Sequence, residues 1–359
     1  MTVINLSDFH KYSALFGAVC SRGTALYENL YLDFEKKEVY FFGQNKQAKI
    51  PLKFTGDIHK NIFVPLSFVS VVSRYESINL ENGVFTSVDS NEQITFEEIK
   101  IDADHIDTTV FDSDINCFDV DKVSAEKLVR ATSFISQDYP EFSAAFVKDN
   151  NIFSSNKLET LIDSIPLSKD TLLNIDVLKV LKFGLGIKQE ENIDSIIKIS
   201  NTDRKLYLKF SEAVVVFTLT SVIKPLDFTN PTYISTYKHE NMFYVKRYDL
   251  YETVSFLKPF AVNAPVQRIY ITLSSEKSYV EVKDGSQAKK EFKLCETYSG
   301  PEITLVLSLT YFDTILKTFV GNKDNDVISF SFTKDFPKVS VQDKLNYPNM
   351  TLVFLRYRE

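Results

Sequence analysis

The chain has 359 residues, of which 44% are apolar, with 30 Phe, 18 Tyr and no Trp. A single core rarely grows to this length, so two or three domains are expected, and the aromatic content favours sheets. The formal net charge of −7 argues against a protein that grips nucleic acid tightly over its whole surface, although a locally basic surface remains compatible with it.

The cysteine pattern and the terminal sequence predict a cytoplasmic protein. Cys20, Cys117 and Cys295 are widely spaced and form no CxxC motif, which favours reduced thiols over disulfides. The first residues, MTVINLSDFHKY, lack the basic and apolar regions of a signal peptide. The longest apolar run, around Ala213–Phe217, is too short to cross a bilayer, so no membrane association is expected.

The first third of the chain begins with an amphipathic segment, Ser7–Val19, whose apolar residues recur at helical spacing and whose Ser7 is a candidate N-cap. Strand-like runs follow at Ala25–Phe34, Glu38–Phe42 and Ala48–Phe54. An apolar strand, Asn61–Val64, then leads directly into a predicted helix, Pro65–Tyr75, with Pro65 suited to its first position. Three further strands are predicted at Ser77–Leu80, Val84–Val88 and Gln93–Ile99.

The middle third repeats this order. A helix is predicted at Ser124–Ile135, with Ser124 as a candidate N-cap. A second helix is predicted at Asn174–Leu185, directly after the strand Thr171–Leu173. The remaining strands are expected at Phe142–Val147, near Ile152, and at Leu158–Ile165, Ile196–Ser200, Lys205–Phe210 and Ala213–Thr220.

The last third has the same order again. Its helices are predicted at Tyr248–Phe260, with Asp249 in or beside the first turn, and at Ser308–Phe319 after the strand Ile303–Leu307. The other strands are expected at Arg268–Leu273, Ser278–Val282, Lys289–Glu296, Val327–Thr333, Lys338–Gln342 and Thr351–Tyr357.

Three successive units of about 120 residues, each itself a rough duplication, are therefore predicted. We place their boundaries at residues 1–115, 116–238 and 239–359, where acidic and Pro-containing stretches lie. The predicted fold class is α+β, with two helices in each unit packed on antiparallel sheets.

Sequence motifs for catalysis are few. The four His residues are scattered singly, and neither a GxxxxGK[ST] nor a GxSxG motif is present. The segment Phe183–Gly186 does not complete a dinucleotide-binding fingerprint. No cofactor, metal or catalytic residue is predicted, although a β-rich hydrolase with a cleft of converging polar groups stays open as an alternative.

Short motifs, taken with the order of the units, resemble the bacterial β sliding clamps and their phage counterparts. In the last third these are Thr297-Tyr298-Ser299-Gly300, Glu302, Ile303–Leu307, Ser308-Leu309-Thr310-Tyr311 and Ile315-Leu316; in the middle third they are Ala131-Thr132, Phe134 and Gln137-Asp138. The resemblance implies three tandem clamp domains that assemble as a homodimeric ring. It implies a non-enzymatic processivity factor that encircles double-stranded DNA and tethers a DNA polymerase and a clamp loader.

The resemblance also implies which surfaces function. A hole lined by helices of mild positive potential needs basic residues opposite the apolar stripes, and helical wheels place Lys11, Arg130 and Lys317 there, with Lys127, Lys179 and Arg74 on the flanks. Exposed helix faces carry such residues in many proteins, so ordinary solvation is the alternative. By analogy, Ile94 and Phe96 would meet Ala261 and Val262 of a second copy, and the alternative is that all four are ordinary core residues of a sheet and a helix end.

A pocket for a linear partner peptide is expected between the middle and last domains. Its candidates are Phe142, Leu158, Val353, Phe354, Leu355 and Arg356. A core role is the alternative for Phe354. A clamp-derived adaptor that recruits transcription or repair factors would use the same ring and pocket, so the sequence leaves that function open.

Overall fold

A computed structural model of the chain describes residues 2–21, 23–57, 60–81, 83–88, 90, 92–96, 99, 101, 106–111, 118–136, 138–139, 142–166, 170–186, 195–202, 205–218, 239–261, 267–283, 286–319, 326–334 and 337–357. Within these ranges no helix has the length and apolarity that crossing a bilayer requires.

The described helices alternate with groups of strands along the chain. In order they are α1 (Ser7–Lys11), α2 (Ser13–Val19), α3 (Ser67–Val72), α4 (Lys122–Arg130), α5 (Ile175–Gly186), α6 (Arg247–Ala261) and α7 (Leu309–Thr318). The strands up to α4 are β1 (Thr2–Asn5), β2 (Asn29–Asp33), β3 (Glu38–Gly43), β4 (Lys46–Pro51), β5 (Lys53–Gly56), β6 (Ile62–Pro65), β7 (Ser77–Glu81), β8 (Val84–Ser87), β9 (Gln93–Ile94) and β10 (Phe118–Asp121).

The remaining strands follow α4. They are β11 (Ala144–Lys148), β12 (Asn151–Ser155), β13 (Glu159–Ser164), β14 (Thr171–Asn174), β15 (Ser195–Thr202), β16 (Lys205–Phe210), β17 (Ala213–Thr218), β18 (Asn241–Lys246), β19 (Arg268–Leu273), β20 (Tyr279–Val282), β21 (Ala288–Glu291), β22 (Ile303–Ser308), β23 (Val327–Phe332), β24 (Lys338–Gln342) and β25 (Thr351–Leu355). The predicted α+β class is confirmed.

The first compact unit comprises Met1–Val129 and Ile175–Val222. It contains a five-stranded sheet in the order β5-β1-β7-β8-β9 and an eight-stranded sheet in the order β10-β15-β16-β17-β4-β3-β2-β6. In the larger sheet β17 pairs antiparallel with β4, with Val215 opposite Ala48. Helix α2 packs against α5 and against β3, so the helices cover one side of this sheet.

The second compact unit comprises Arg130–Asn174 and Ile223–Glu359. Its eight-stranded sheet runs β14-β11-β12-β13-β25-β24-β23-β18, and a four-stranded sheet runs β21-β20-β19-β22. Helix α6 packs against α7. Each unit contains part of the predicted middle domain, because each eight-stranded sheet joins strands from two predicted domains. The boundaries at 115 and 238 stay a prediction.

Aromatic side chains from helices and strands form the two cores. In the first unit, Phe16 of α2 lies with its ring centroid 4.6 Å from that of Phe41 on β3. In the second unit, Phe243 of β18 stacks on Phe330 of β23 at 4.7 Å. All four are at most 2% exposed, and burying each such ring contributes roughly 1.5–3 kcal/mol. The helices are thereby fixed with one face on a sheet and the other available to solvent.

Two predicted N-caps are wrong. Ser7 is the first residue of α1, and its amide donates to Oδ1 of Asn5 at 2.9 Å. Helix α4 begins earlier than predicted, at Lys122, and the amide of Ser124 donates to Oδ1 of Asp121 at 2.6 Å. In both cases the serine amide donates to an Asn or Asp side chain before the helix, so the serine is a donor within the first turn and not the capping acceptor that we expected.

The second predicted helix begins differently in the first and the last third of the chain. Pro65 is the last residue of β6, and α3 begins at Ser67, so the prediction that Pro65 starts the helix is wrong. Proline fits the end of β6 because β6 lies at the edge of its described sheet, where one side needs no ladder donor. Ser308 does cap α7, since its Oγ accepts from the amide of Thr310 at 3.3 Å.

Candidate functional site

Helix α5 presents two lysines on its solvent face. Lys179 and Lys182, one turn apart, are exposed, while Val177, Val180 and Leu181 are buried. The Lys122–Val129 part of α4 and the whole of α5 carry four lysines and two acidic residues, whereas the whole chain has 48 acidic and 41 basic residues. The helices of the first unit are therefore locally basic on an acidic protein, which suits sequence-independent contact with phosphates.

Three other predicted basic residues lie on helices or helix ends of the same unit. Lys11 is exposed at the end of α1, with its Nζ 5.2 Å from the centroid of the Tyr12 ring. Arg74 is exposed just beyond α3, and Lys127 is half-buried on α4. Lys11 and Arg74 are accessible to a polyanion, whereas Lys127 is less so.

Arg130 is held by groups of the second unit. Its guanidinium lies 3.9 Å from Oδ2 of Asp163 and 5.1 Å from the ring centroid of Tyr347, and it donates to Sδ of Met350 at 3.4 Å. Its side chain is 24% exposed. A charge that a nearby buried carboxylate compensates offers a weaker attraction to DNA than an exposed lysine.

The helix surface of the second unit is balanced in charge. Lys258 of α6 and Asp313 of α7 form an ion pair at 3.1 Å, and Lys317 is exposed in the last turn of α7. Helix α6 also exposes the rings of Tyr248 and Tyr251. Lys317 is thus accessible to solvent, and its role at an inner surface stays a prediction.

The C-terminal strand brings most of the predicted pocket residues together. Strand β25 pairs with β13, with Phe354 opposite Glu159. One residue further along, the amide of Leu355 donates to the carbonyl oxygen of Leu158 at 3.0 Å. Leu158 is 51% exposed, Leu355 is partly exposed, and Arg356 follows with its amide donating to the oxygen of Pro337 at 2.9 Å. An accessible apolar surface results, defined by Leu158 and Leu355.

Val353 and Phe354, the two residues of β25 before Leu355, are buried. Phe354 is 1% exposed and its ring centroid is 4.8 Å from that of Tyr311 on α7. Val353 is 3% exposed. Phe142 is also buried, and its ring meets that of the exposed Tyr139 edge-on at 6.3 Å. Tyr139 in turn lies under the ammonium of Lys157, 4.6 Å away, so Phe142 belongs to the neighbourhood of the same turn.

The carboxylate of Glu159 connects this sheet to helix α7. Glu159 accepts from Nδ2 of Asn156 at 3.1 Å and from Oγ1 of Thr314 on α7 at 3.0 Å. Burial raises the pKa of Glu159 above its usual value, against these two hydrogen bonds, which lower it. Burial likewise raises the pKa of Tyr311, with the nearby Tyr357 and Glu159 adding to the effect. These groups tie α7 to the turn that carries Leu158.

The turn between β12 and β13 has a conformation that fixes the exposed leucine. Oδ1 of Asn156 accepts from the amides of Leu158 at 3.1 Å and Glu159 at 2.8 Å, as in an Asx turn. Lys157, between Asn156 and Leu158, has a φ of 82°, in the left-handed region. The turn therefore presents Leu158 on a rigid support, which lowers the entropic cost of binding.

Sequence reasoning missed Lys338. It is the first residue of β24 and lies opposite Leu355 in the sheet. Burial lowers the pKa of its ammonium. The register between the last two predicted strands would have placed Lys338 beside Leu355. A single sequence does not specify this register, because it depends on the loop between the two strands.

The predicted subunit-interface residues lie at an edge and at a helix end. β9, with Ile94, is the edge strand of the described five-stranded sheet, and Ile94 is partly exposed. Phe96 lies with its ring centroid 5.6 Å from that of Phe68, in the aromatic core. Ala261 is buried at the end of α6, and Val262 lies outside the described residues.

No clustered metal-ligand set occurs among the described His, Cys, Asp and Glu residues. An open cleft of about 520 Å³ lies in the second unit, near the start of α6. Its charged lining residues are Lys246, Asp249, Glu276, Lys277, Glu291, Lys293 and Glu296. Charges of both signs alternate at this open surface, which gives no preference for one charged substrate.

Solved structures of known proteins share this fold along the whole chain. The DNA polymerase III β subunit of Thermotoga maritima matches with a TM-score of 0.77 at 13% identity, and the DNA polymerase sliding clamp of Pseudomonas aeruginosa with 0.79 at 13%. The sliding clamp of Caulobacter crescentus matches with 0.76 at 12%, and in all three cases both chains are covered completely. No protein-family model and no curated protein sequence matches the chain. The chain therefore has the sliding-clamp fold.

Proposed function

We propose that this protein is a DNA sliding clamp, a non-enzymatic cytoplasmic processivity factor that encircles duplex DNA and tethers a DNA polymerase. The observation that carries the proposal is the complete coverage, in both directions, of clamp structures at TM-scores of 0.76 to 0.79. A clamp uses its fold as a whole, so a match over all 359 residues supports the function better than a match to one domain would.

The helix surfaces support the DNA side of the proposal. Lys179 and Lys182 on α5, together with Lys11, Arg74 and Lys317, are exposed cations that attract phosphates without reading bases. Lys127 contributes less because it is half-buried, and Arg130 less because Asp163 compensates its charge. A ring held on DNA by topology needs only weak attraction of this kind, because strong phosphate binding would slow sliding.

Ring closure as a homodimer is supported by two edge strands. β9 with Ile94 ends the described sheet of one unit, and β21 ends that of the other. Residues 89–107 carry seven acidic side chains and one lysine, whereas residues 283–293 carry four lysines and two acids. A head-to-tail pairing of these edges between copies, with Phe96, Ala261 and Val262 nearby, would close two equivalent junctions and leave neither β9 nor β21 unpaired.

Tethering would use the Leu158–Leu355 surface. A linear peptide from a polymerase or clamp loader would place apolar anchors on these two leucines, with Arg356 next to them, while the buried Val353, Phe354 and Phe142 stabilise the surrounding structure. Tethering raises the local concentration of polymerase at the primer end without tightening its own grip on DNA.

Topological trapping on DNA tests the proposal. The protein is mixed with linear plasmid, the DNA is circularised by ligase, and co-elution with DNA is measured in high salt by gel filtration. We expect retention on the circle and release after one restriction cut. Equal retention on circular and linear DNA, or none on either by a chain that is dimeric in solution, would contradict encirclement. An Ile94→Asp variant, designed to open the ring, is the control.

A further inference from the structure

The four-stranded sheet of the second unit, in the order β21-β20-β19-β22, has one face against helix α6. Ile271, Val280 and Lys290 lie in one row across its strands. Ile271 and Val280 are fully buried, and Nζ of Lys290 is 5.6 Å from the ring centroid of Phe256 on α6. This row therefore points to the helix side of the sheet.

Tyr270 of β19 and Tyr279 of β20 point to the other side, because side chains alternate along each strand. We call this side the tyrosine face. Tyr270 lies opposite Glu281, and Tyr279 is two residues before Glu281, so the two tyrosines are diagonal neighbours about 7–8 Å apart. Both side chains are partly exposed. Aromatic rings on a four-stranded antiparallel sheet are the arrangement on which some RNA-binding domains stack bases.

A lysine ammonium lies over each of these rings. Nζ of Lys283 is 4.5 Å from the ring centroid of Tyr270, and Nζ of Lys289 is 3.3 Å from that of Tyr279. Both lysines are exposed. They also line an open recess of about 390 Å³ at the hairpin between β20 and β21, together with Glu281, Val282, Gln287 and Ala288. The tyrosine face thus combines flat rings with positive charge.

We infer that the tyrosine face binds single-stranded nucleic acid, with bases stacked on Tyr270 and Tyr279 and a phosphate in the recess between Lys283 and Lys289. A single strand offers unpaired bases to the rings and a negative charge at each phosphate to the ammoniums, whereas a duplex keeps its bases stacked inside. Pairing of the β21 edge with a second copy would use the backbone of that strand and leave this face open. The inference goes beyond the proposed function, since it requires no encirclement of duplex DNA.

An arriving base has to displace a lysine from its ring. At an exposed site, a cation over an aromatic ring stabilises by a factor of roughly two to five, whereas a stacked base contributes a factor of roughly 5 to 150. The exchange therefore favours the base. The displaced ammoniums of Lys283 and Lys289 stay beside the strand and attract its phosphates.

Two carboxylates weaken the attraction for phosphates. Glu281 pairs with Lys283 at 2.8 Å, and the exposed Glu291 lies opposite Tyr279. A phosphate that approaches Lys283 competes with Glu281 for the same ammonium. Stacking on the rings therefore supplies most of the affinity, and a strand without bases should bind poorly.

The probes are labelled oligo(dT) and oligo(U) of about 12 nucleotides and an abasic phosphodiester strand of the same length. Each is titrated with the full-length protein in low salt, and binding is measured by fluorescence anisotropy. Tyr270→Leu and Tyr279→Leu remove one ring each, and Tyr279→Phe keeps the ring. The matched control is Tyr251→Leu, which removes a 57% exposed tyrosine from α6, on the other side of the sheet. Urea denaturation checks that each variant is folded.

We expect the wild type to bind oligo(dT) or oligo(U) at least about tenfold more tightly than the abasic strand. Binding of either supports the inference, and their ratio shows which nucleic acid the face prefers. Tyr270→Leu and Tyr279→Leu should each weaken the better strand about tenfold, with Tyr279→Phe and Tyr251→Leu close to wild type. The abasic comparison requires no variant, so it tests stacking even where a substitution lowers stability.

The lysines are tested by the salt dependence of the same binding. Lys283→Gln with Lys289→Gln should lower the slope of log K against log salt by about 0.7, the contribution of one single-strand phosphate. Lys209→Gln with Lys344→Gln, two exposed lysines on other strands or turns, should leave the slope unchanged.

Equal affinity for the abasic and base-containing strands, or no binding by the wild type, would overturn the inference. Wild-type affinity in the folded Tyr270→Leu and Tyr279→Leu variants, or an unchanged slope in the Lys283→Gln/Lys289→Gln protein, would also overturn it. Retention on circular duplex DNA should be the same in Tyr279→Leu as in the wild type, so the encirclement proposal is tested separately.

Discussion

The amide of Leu355 donates to the carbonyl oxygen of Leu158 at 3.0 Å, which joins the C-terminal strand to the turn between β12 and β13. Residues almost 200 positions apart thereby form one accessible apolar surface on rigid strands. The surface depends on the last residues of the chain, so changes there bear on partner binding and on the sheet at once.

Leu158→Ala and Phe354→Ala are expected to differ. Phe354 is 1% exposed against Tyr311, so its truncation should lower the free energy of unfolding by about 3 kcal/mol or more. Leu158 is 51% exposed, so its truncation should change stability by less than about 1 kcal/mol while weakening polymerase capture at least about fivefold. Urea denaturation and affinity capture with each variant measure the two effects.

The same capture separates the replication clamp from an adaptor. If Leu158→Ala fails to capture a polymerase that the wild type captures, the result supports the replication clamp. If Leu158→Ala fails to capture only transcription or repair factors, the result supports the adaptor. Equal capture by wild type and Leu158→Ala would contradict a role for this surface in tethering.

Replacing Lys179 and Lys182 together by Ala should reduce the salt dependence of DNA association. Each phosphate contact contributes about 0.9 to the slope of log K against log salt, so the slope should fall by up to about 2 per protomer. Both side chains are exposed, and unfolding should be little affected. Lys60→Ala with Lys209→Ala, two exposed lysines outside the helices, is the matched control. An unchanged slope in Lys179→Ala/Lys182→Ala would argue against α5 facing DNA.

The strand and helix order was predictable, but the pairing that builds the site was not. The 3–4 spacing in residues 248–260 gives α6 almost to the residue, because one face of that helix is buried. The acceptors Asn5 and Asp121 were missed because several polar residues stand at each helix start, and spacing does not choose among them. The sequence did not predict that Leu158, Leu355 and Lys338 lie side by side. The register between strands far apart in the chain is set by packing, which a single sequence does not display.

Dimer affinity should fall as salt rises. The acidic segment 89–107 and the lysine-rich segment 283–293 are the proposed partners across each junction, and ions screen exposed charges beyond about 10 Å at 0.1 M. We expect the dissociation constant, measured by sedimentation, to rise several-fold between 0.1 and 0.5 M NaCl. A constant that falls over this range would indicate an apolar junction without charge complementarity.

Glu159 should make stability depend on pH. Because burial raises its pKa in the folded protein, folding favours its protonated form, and the stability it contributes at low pH is lost as pH rises through its folded pKa. Relative to Glu159→Gln, the wild type should therefore lose unfolding free energy between pH 4 and pH 7. Parallel urea titrations of both proteins check this, and a wild type that gains unfolding free energy relative to Glu159→Gln toward pH 7 would contradict the burial of this carboxylate.

The assembly state in solution tests the central claim most directly. Sedimentation equilibrium at micromolar concentration should give twice the chain mass of 41.2 kDa, and negative-stain images of the same sample should show annular particles wide enough for duplex DNA. A monomer without annular particles under these conditions would contradict ring closure, and with it the proposal that this chain holds its partners on DNA by encircling it.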